Sequence, residues 1–137
     1  MCLALYLFTD NPVDEVAFDK SNPACYVRQI TEREQAVKRW VADKANIYYV
    51  GSSQGCGCGW SPAYESDEES EAADKAKDRE ILFKILQLGD YLGSHLIACW
   101  EGDQGEELER QEPLDISKIR DANFESEECV DYLLEAK

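Results

Sequence analysis

The chain is predicted to fold as a small α/β or α+β domain of two or three layers, with about four strands in a central, mostly parallel sheet and two to three helices. Two observations predict this class: short apolar or aromatic runs alternate with segments of helical periodicity, and 44% of the residues are hydrophobic. With 137 residues, the chain is long enough for a packed core but short for two. Residues 1–137 are therefore expected to form a single domain.

The first half of the chain supplies three predicted strands and a short helix. Residues 3–8, LALYLF, are continuously apolar, which is typical of a central strand covered on both faces. Residues 25–30 alternate as an edge strand does, and Thr31 opens a capping box before a helix that should end near Asn46. Residues 47–50, IYYV, are β-branched and aromatic and predict the third strand.

The second half is predicted to hold the longest helix, a fourth strand and an acidic tail. A capping box at residues 66–69 begins the helix, whose apolar stripe is confined to its last turns, so its polar first half is expected to project into water. Gly89 or Gly93 should end it, and residues 95–101, HLIACWE, form the next strand. Residues 126–136 fit both helical spacing and strand alternation, and a helix is favoured.

The order of these elements predicts which loops meet. A right-handed crossover through the long helix would make the third and fourth strands parallel, so that their carboxyl ends share the edge where open α/β sheets bind ligands. Asp103 and Cys99 would lie near that edge, as would Asp10 if the first strand runs the same way. His95, the single histidine, would lie at the opposite end of its strand, which weakens any Cys–His catalytic pair.

Two cysteines in a glycine-rich loop are the most unusual feature of the sequence. The stretch IYYVGSSQGCGCGW, residues 47–60, interleaves Cys56 and Cys58 with Gly55, Gly57 and Gly59. Four interpretations are open: small buried side chains in a tight turn, a soft-metal site, a strained reversible disulfide, and backbone amides that hold an anion. The redox interpretation lacks a nearby cation, because residues 51–73 contain no Lys, Arg or His.

A metal site in this loop would need ligands from elsewhere in the chain. Two thiolates suit zinc or copper(I), but a structural zinc site has four ligands and one C-x-C pair supplies two. The predicted metal ligands are Cys56, Cys58 and Cys99. The predicted cofactor-binding residues are Gly55, Gly57, Gly59, Asp10 and Asp103.

The charge and the apolar pattern exclude several classes of partner. The chain has 29 acidic and 14 basic residues and a formal net charge of −15, so nucleic acids and anionic membranes would be repelled. No apolar run approaches the ~20 residues of a membrane span, and the opening MCLALYLFTD lacks the features of a secretory signal. A cytoplasmic protein with free thiols is expected, with a small ligand or another protein as its partner.

Three patches of the sequence, MCLALYLFTD, YYVGSSQGCGCGW and ACWEGDQG, together resemble a family of short bacterial proteins that has no assigned activity. The resemblance covers most of the chain, implies a bacterial cytosolic origin and implies that the three loops belong together. It implies no reaction, cofactor or catalytic residue. The sequence thus favours a non-enzymatic cytosolic binding or regulatory domain whose loop is structural or binds a soft metal. The alternative is a thiol-dependent enzyme or redox protein that uses Cys56 or Cys58.

Overall fold

A computed structural model describes residues 2–60, 69–89, 92–121, 124 and 126–135. These residues form an α+β domain around one six-stranded sheet. The strands are β1 Leu3–Thr9, β2 Tyr26–Gln29, β3 Asn46–Gly51, β4 His95–Trp100, β5 Arg110–Asp115 and β6 Val130–Glu135. Their order across the sheet is β2-β3-β1-β4-β6-β5.

The first strand, β1, lies between β3 and β4 and is antiparallel to both. Leu5 is opposite Val50 on one side and Ala98 on the other. Because both neighbours run against β1, they run in the same direction and end on the same edge of the sheet. The prediction of a mostly parallel sheet with about four strands is nevertheless wrong. Strands β3 and β4 are not hydrogen-bonded to each other, because β1 lies between them. Among the described strands, β5 and β6 are the one parallel pair of neighbours.

All seven residues of β1 are buried, as the apolar run predicts. Its alternate side chains enter two hydrophobic clusters, one on each face of the sheet. On one face, Leu5 belongs to the same cluster as Leu82 and Leu86 of the long helix. On the other face, Tyr6 shares a cluster with Val37. The domain therefore has three layers, with the sheet in the middle.

The long helix, α1, spans Glu69–Leu88, and Gly89 follows it as predicted. The part of the predicted capping box before Glu69 lies outside the described residues. Residues 73–77 are exposed or half-buried, as expected for the polar first half, but Asp78 and Arg79 at the middle of the helix are buried. Both side chains bond to neighbouring loops, as described below. No helix in the described part of the chain is long and apolar enough to cross a membrane.

The predicted short helix after Thr31 is a 3-10 helix, Glu32–Arg39. Its capping box is present, and the Thr31 amide donates to the Glu34 carboxylate at 2.9 Å. The helix ends before the predicted end at Asn46, which is instead the first residue of β3. Two further 3-10 helices span Gly57–Trp60 and Ile116–Arg120.

The favoured helix at residues 126–136 is wrong, because β6 occupies Val130–Glu135. Strand β6 pairs with the open side of β4, where His95 lies opposite Leu133, and pairing in the sheet outweighs the helical spacing. It also pairs with β5, RQEPLD, which the sequence did not reveal. That strand is polar and contains Pro113, so it lacks the usual signals of a strand.

Two adjacent leucines distinguish a strand from a helix in this segment. Leu134 is 1% exposed, whereas Leu133 is half-buried. We expect Leu134→Ala to lower the free energy of unfolding by about 2–4 kcal/mol and Leu133→Ala by roughly 1 kcal/mol or less, because less apolar surface leaves the core. Denaturant unfolding of the two variants measures the difference. Equal losses, as two core-facing positions of a helix would give, would contradict the assignment of β6.

Candidate metal centre

Three cysteine thiols meet at one edge of the sheet. The Sγ atoms of Cys2, Cys56 and Cys58 all lie within 4.8 Å of one another, and each residue is half-buried. Cys2 precedes β1, whereas Cys56 lies in the loop after β3 and Cys58 lies in the 3-10 helix Gly57–Trp60 that continues it. The group, called the thiol cluster below, therefore joins two segments that are far apart in the sequence.

The antiparallel pairing of β1 brings Cys2 to the loop. The start of β1 lies between the ends of β3 and β4, and Leu3 is opposite Trp100. The turn after β4 is tied to the same place, because the Glu101 amide donates to the Cys2 carbonyl at 2.8 Å. Three segments of the chain thus converge on the thiol cluster.

Ser52 holds the loop in its conformation. Its amide and its hydroxyl both donate to the Cys56 carbonyl, at 2.8 and 2.7 Å. The hydroxyl oxygen also accepts from the amides of Gln54 and Gly59, each at 3.2 Å. A fully buried serine thus satisfies several backbone groups that the tight turn would otherwise leave without partners.

The glycines of the loop have different functions. Gly55 has a φ of +82°, which glycine adopts without strain, and its carbonyl accepts from the Tyr26 hydroxyl at 2.7 Å. A Cβ atom on Gly57 would lie 2.3 Å from the Leu3 carbonyl oxygen. A Cβ atom on Gly59 would lie 2.7 Å from the Ser52 side chain. Gly57 and Gly59 therefore allow the loop to pack closely on β1 and on itself.

Two buried charged residues of helix α1 form hydrogen bonds to the segment that carries Cys56 and Cys58. Asp78 accepts from the Ser53 amide at 3.0 Å and from the Ser53 hydroxyl at 2.8 Å. Burial raises the pKa of Asp78, although the bonds from Ser53 oppose this shift. Arg79, 3% exposed, donates to the carbonyls of Gly59 and Phe124 at 3.4 and 2.7 Å. These bonds fix the backbone that carries the two loop cysteines.

The three thiols differ in acidity. Burial tends to raise the pKa of Cys58, but hydrogen bonds from the Cys56 thiol, the Leu3 amide and the Cys2 thiol outweigh it and lower that pKa. Burial, together with the bond to Cys58, raises the pKa of Cys56 to about 12. The bond to Cys58 also raises the pKa of Cys2. Cys58 is therefore the thiol of the cluster that loses its proton first.

Backbone amides supply part of the stabilisation that a thiolate needs. The Cys58 amide donates to the Cys56 sulfur at 3.4 Å, and the Leu3 amide bonds to Cys58. Glu101 acts in the opposite direction, because its negative charge raises the pKa of both Cys2 and Cys58. A cluster with amide donors and a neighbouring carboxylate can hold a metal cation, which compensates the negative charge of the thiolates.

The predicted metal ligands are only partly brought together. Cys56 and Cys58 belong to the thiol cluster, but Cys99 does not. Cys99 is fully buried and packs on the face of the sheet that carries Tyr6 and Val37. Burial raises its pKa to about 12. In the described residues, Cys2 takes the place that the sequence interpretation gave to Cys99.

The two predicted aspartates lie at opposite edges of the sheet. Asp103 is exposed in the turn after β4, at the edge of the thiol cluster. Asp10 follows the other end of β1, roughly 26 Å from Cys2 at the usual rise per residue, and pairs with Lys44 at 2.9 Å. The expected convergence of Asp10 with the loop does not occur, because β1 runs against its neighbours. His95 also lies at that far edge, bonded to Asp131 at 2.7 Å.

Cys2 was missed because the sequence interpretation assumed the opposite direction for β1. A signal was available: a strand that begins directly after Cys2 and lies between two parallel strands can pair antiparallel with both. That arrangement places the residue before the strand beside the carboxyl ends of the two neighbouring strands.

We expect Gly57→Ala to destabilise the protein by about 1–3 kcal/mol, because the new methyl group would collide with rigid backbone of β1. Gly89→Ala is the matched control, since its nearest atom would lie at 3.8 Å, an ordinary contact. Free energies of unfolding from denaturant titration compare the two variants. Equal stability of both variants would show that the loop does not pack on Leu3 as described.

We expect Cys25 and Cys99 to react slowly with iodoacetamide in the folded, metal-free protein, because burial raises the pKa of each thiol and blocks access. Below those raised values the thiols stay protonated, so their rates should remain low at pH 8. Half-buried Cys129 is the internal comparison. Peptide mapping by mass spectrometry measures each site, and equal rates at Cys99 and Cys129 would refute the burial argument.

No family model, curated protein or solved structure matches this chain. The function of the thiol cluster is therefore inferred from its geometry, burial and charge.

Proposed function

We propose that the protein is a non-enzymatic binding or regulatory domain that holds one thiophilic metal ion, zinc or copper(I), through Cys2, Cys56 and Cys58. The observation that supports this function most directly is the mutual approach of the three sulfur atoms within 4.8 Å. Thiolate sulfur is the ligand that these two metals prefer.

The spacing of the sulfur atoms suits a metal of this class. A zinc–sulfur bond is about 2.3 Å long, so two sulfurs on one ion lie about 3.8 Å apart. The sulfurs of the cluster would need to approach by about 1 Å at most, which rotation of cysteine side chains can supply. The backbone around them, held by Ser52 and Arg79, can stay in place.

The charge of the site favours a cation over three free thiolates. Three negative sulfurs beside Glu101, in a chain of net charge −15, would repel one another strongly. A metal ion that displaces the thiol protons removes that repulsion, so its binding should release protons and weaken as the pH falls. Copper(I) can be satisfied by three thiolates, whereas zinc would keep a fourth position for water or another group.

The surroundings of the cluster support binding rather than catalysis. His95, the general base that a thiol enzyme commonly uses, lies at the opposite edge of the sheet and is bonded to Asp131. Six free cysteines fit a reducing compartment, so we place the protein in the cytoplasm. The negative charge argues against nucleic acid as its partner.

We expect the wild-type protein to bind one zinc or copper(I) ion per chain, and each of Cys2→Ser, Cys56→Ser and Cys58→Ser to weaken the affinity by at least about 100-fold, because a ligand is lost. Cys129→Ser is the matched control, since Cys129 is also half-buried but lies outside the cluster. Competition with a chromophoric chelator measures affinity, and cobalt(II) absorption reports the number of thiolates. Substoichiometric binding by the wild type, or an equal loss in Cys129→Ser, would refute the proposal.

A second candidate function, thiol–disulfide exchange, is favoured by the position of Cys2. A bond between Cys56 and Cys58 would close a very small, strained ring, but Cys2 comes from another segment and can pair with Cys58 without that ring. In this reaction the Cys58 thiolate attacks a small-molecule disulfide and releases one thiolate. Cys2 then displaces the second, so that two protein thiols and one disulfide yield one protein disulfide and two small thiols.

We expect oxidised glutathione to convert the metal-free protein to a Cys2–Cys58 disulfide if this second function applies. Peptide mapping without reductant identifies the bond, and Cys2→Ser should stop the reaction at a mixed disulfide on Cys58. A bound metal should protect all three thiols. A metal-free protein that stays reduced in excess oxidised glutathione would exclude the redox function and leave metal binding unaffected.

A further inference from the structure

A polar cleft is lined in part by Glu101, whose amide bonds to the Cys2 carbonyl. It has a volume of about 370 Å³ and is lined by residues that include Arg28, Arg33, Glu34, Tyr49, Glu101 and Gln104. This volume is within the range of small-molecule sites. The cleft joins β1, β2, β3, the 3-10 helix at Glu32–Arg39 and the turn after β4.

Glu34 fixes the inner wall of the cleft. Its carboxylate accepts from the Tyr6 hydroxyl, from Arg28 at 2.7 Å and from the Thr31 amide and hydroxyl at 2.9 and 3.1 Å. Burial tends to raise the pKa of Glu34, but these bonds outweigh it and lower that pKa. The carboxylate is therefore ionised and fully occupied by the protein, and its function is to orient Tyr6 and Arg28.

Arg28 presents an unused hydrogen-bonding edge. Its guanidinium lies over the Tyr49 ring, with 4.0 Å between Cζ and the ring centroid. Its bonds to the protein use Nη1, which donates to Glu34 and to the Gln29 carbonyl. Within the described residues, nothing accepts from its Nε or Nη2. Those two groups form the parallel pair of donors that binds a carboxylate with two hydrogen bonds.

Arg33 and Gln104 complete the polar lining. Arg33 forms no ion pair with a described residue, although the chain has a large excess of acids. Gln104 donates to the Tyr6 hydroxyl at 3.2 Å and accepts from the Gly102 amide at 2.9 Å, so its side chain is held in place. Arg28 and Arg33 thus both line the cleft. Of the two acids in its described lining, Glu34 binds Arg28, whereas Glu101 forms no ion pair with either arginine.

We propose that this cleft binds a small organic carboxylate, with the Nε and Nη2 groups of Arg28 on its two oxygens and Arg33 as a second cation. A compact monoanion fits better than a polyanion, because Glu101 and the net charge of −15 would repel additional negative charge. The proposal rests on Arg28, Arg33 and Glu34 and is independent of metal binding by the cysteines.

Uncharged isosteres make the test specific for the carboxylate. Benzoate and propionate are titrated into the full chain at constant ionic strength, with benzamide, propionamide and inorganic phosphate as comparisons. Amide chemical shifts of Arg28 and Gln104 report binding. We expect both carboxylates to bind with dissociation constants on the order of millimolar, and the amides to bind at least about tenfold more weakly.

Three variants locate the site. Arg28→Lys keeps the charge beside Glu34 but removes the paired donors, and should weaken carboxylate binding about tenfold. Arg33→Gln should weaken it roughly threefold. Arg39→Gln is the matched control, an exposed arginine of the same 3-10 helix outside the cleft, and should leave binding unchanged. Thermal unfolding verifies that each variant is folded.

Four results would overturn the proposal. These are the absence of binding by both carboxylates, equal binding of benzoate and benzamide, tighter binding of inorganic phosphate than of either carboxylate, and equal effects of Arg28→Lys and Arg39→Gln. The metal content of the same samples is measured as well, because Arg28→Lys should leave metal binding intact. A failure of carboxylate binding can therefore be distinguished from a failure of metal binding by the thiol cluster.

Discussion

The antiparallel pairing of β1 with both of its neighbours is the constraint on which the structure depends. This strand is buried on both faces, so its backbone groups must pair within the sheet and its side chains must fill two hydrophobic clusters. Its direction decides which loops and segments lie together at one edge of the sheet. Because it runs against β3 and β4, the residue before it reaches the edge where both neighbours end, and the thiol cluster follows from that geometry.

Hydrogen bonds to the backbone and to sulfur organise the edge around the cysteines. Ser52 and Arg79 bind backbone carbonyls of the loop, and amides at Leu3 and Cys58 bond to sulfur. Such donors stabilise thiolates without occupying the space between them. In the polar cleft, Glu34 uses its own charge to position Arg28 and leaves the Nε and Nη2 donors of that arginine available.

The sequence was informative where one local signal dominated. Continuous apolarity identified β1, a capping box identified the start of the 3-10 helix, and the glycine–cysteine pattern identified two of the three clustered thiols. It was less informative where long-range pairing decided the outcome. The spacing at residues 126–136 suits a helix, but the segment forms a strand because it pairs with both β4 and β5. The direction of β1, and with it the inclusion of Cys2 instead of Cys99, is likewise set by partners distant in the chain.

The two outer strands give the sheet protected borders. The edge strand β2 is only four residues long. The edge strand β5 carries exposed Pro113, which has no amide hydrogen to donate to another chain. Arg110 on that strand is surrounded by carboxylates from Glu112 and Glu127. A second molecule that paired with β5 would find no amide donor at Pro113 and would approach the charged side chains around Arg110. Edge-to-edge association into fibrils is therefore disfavoured.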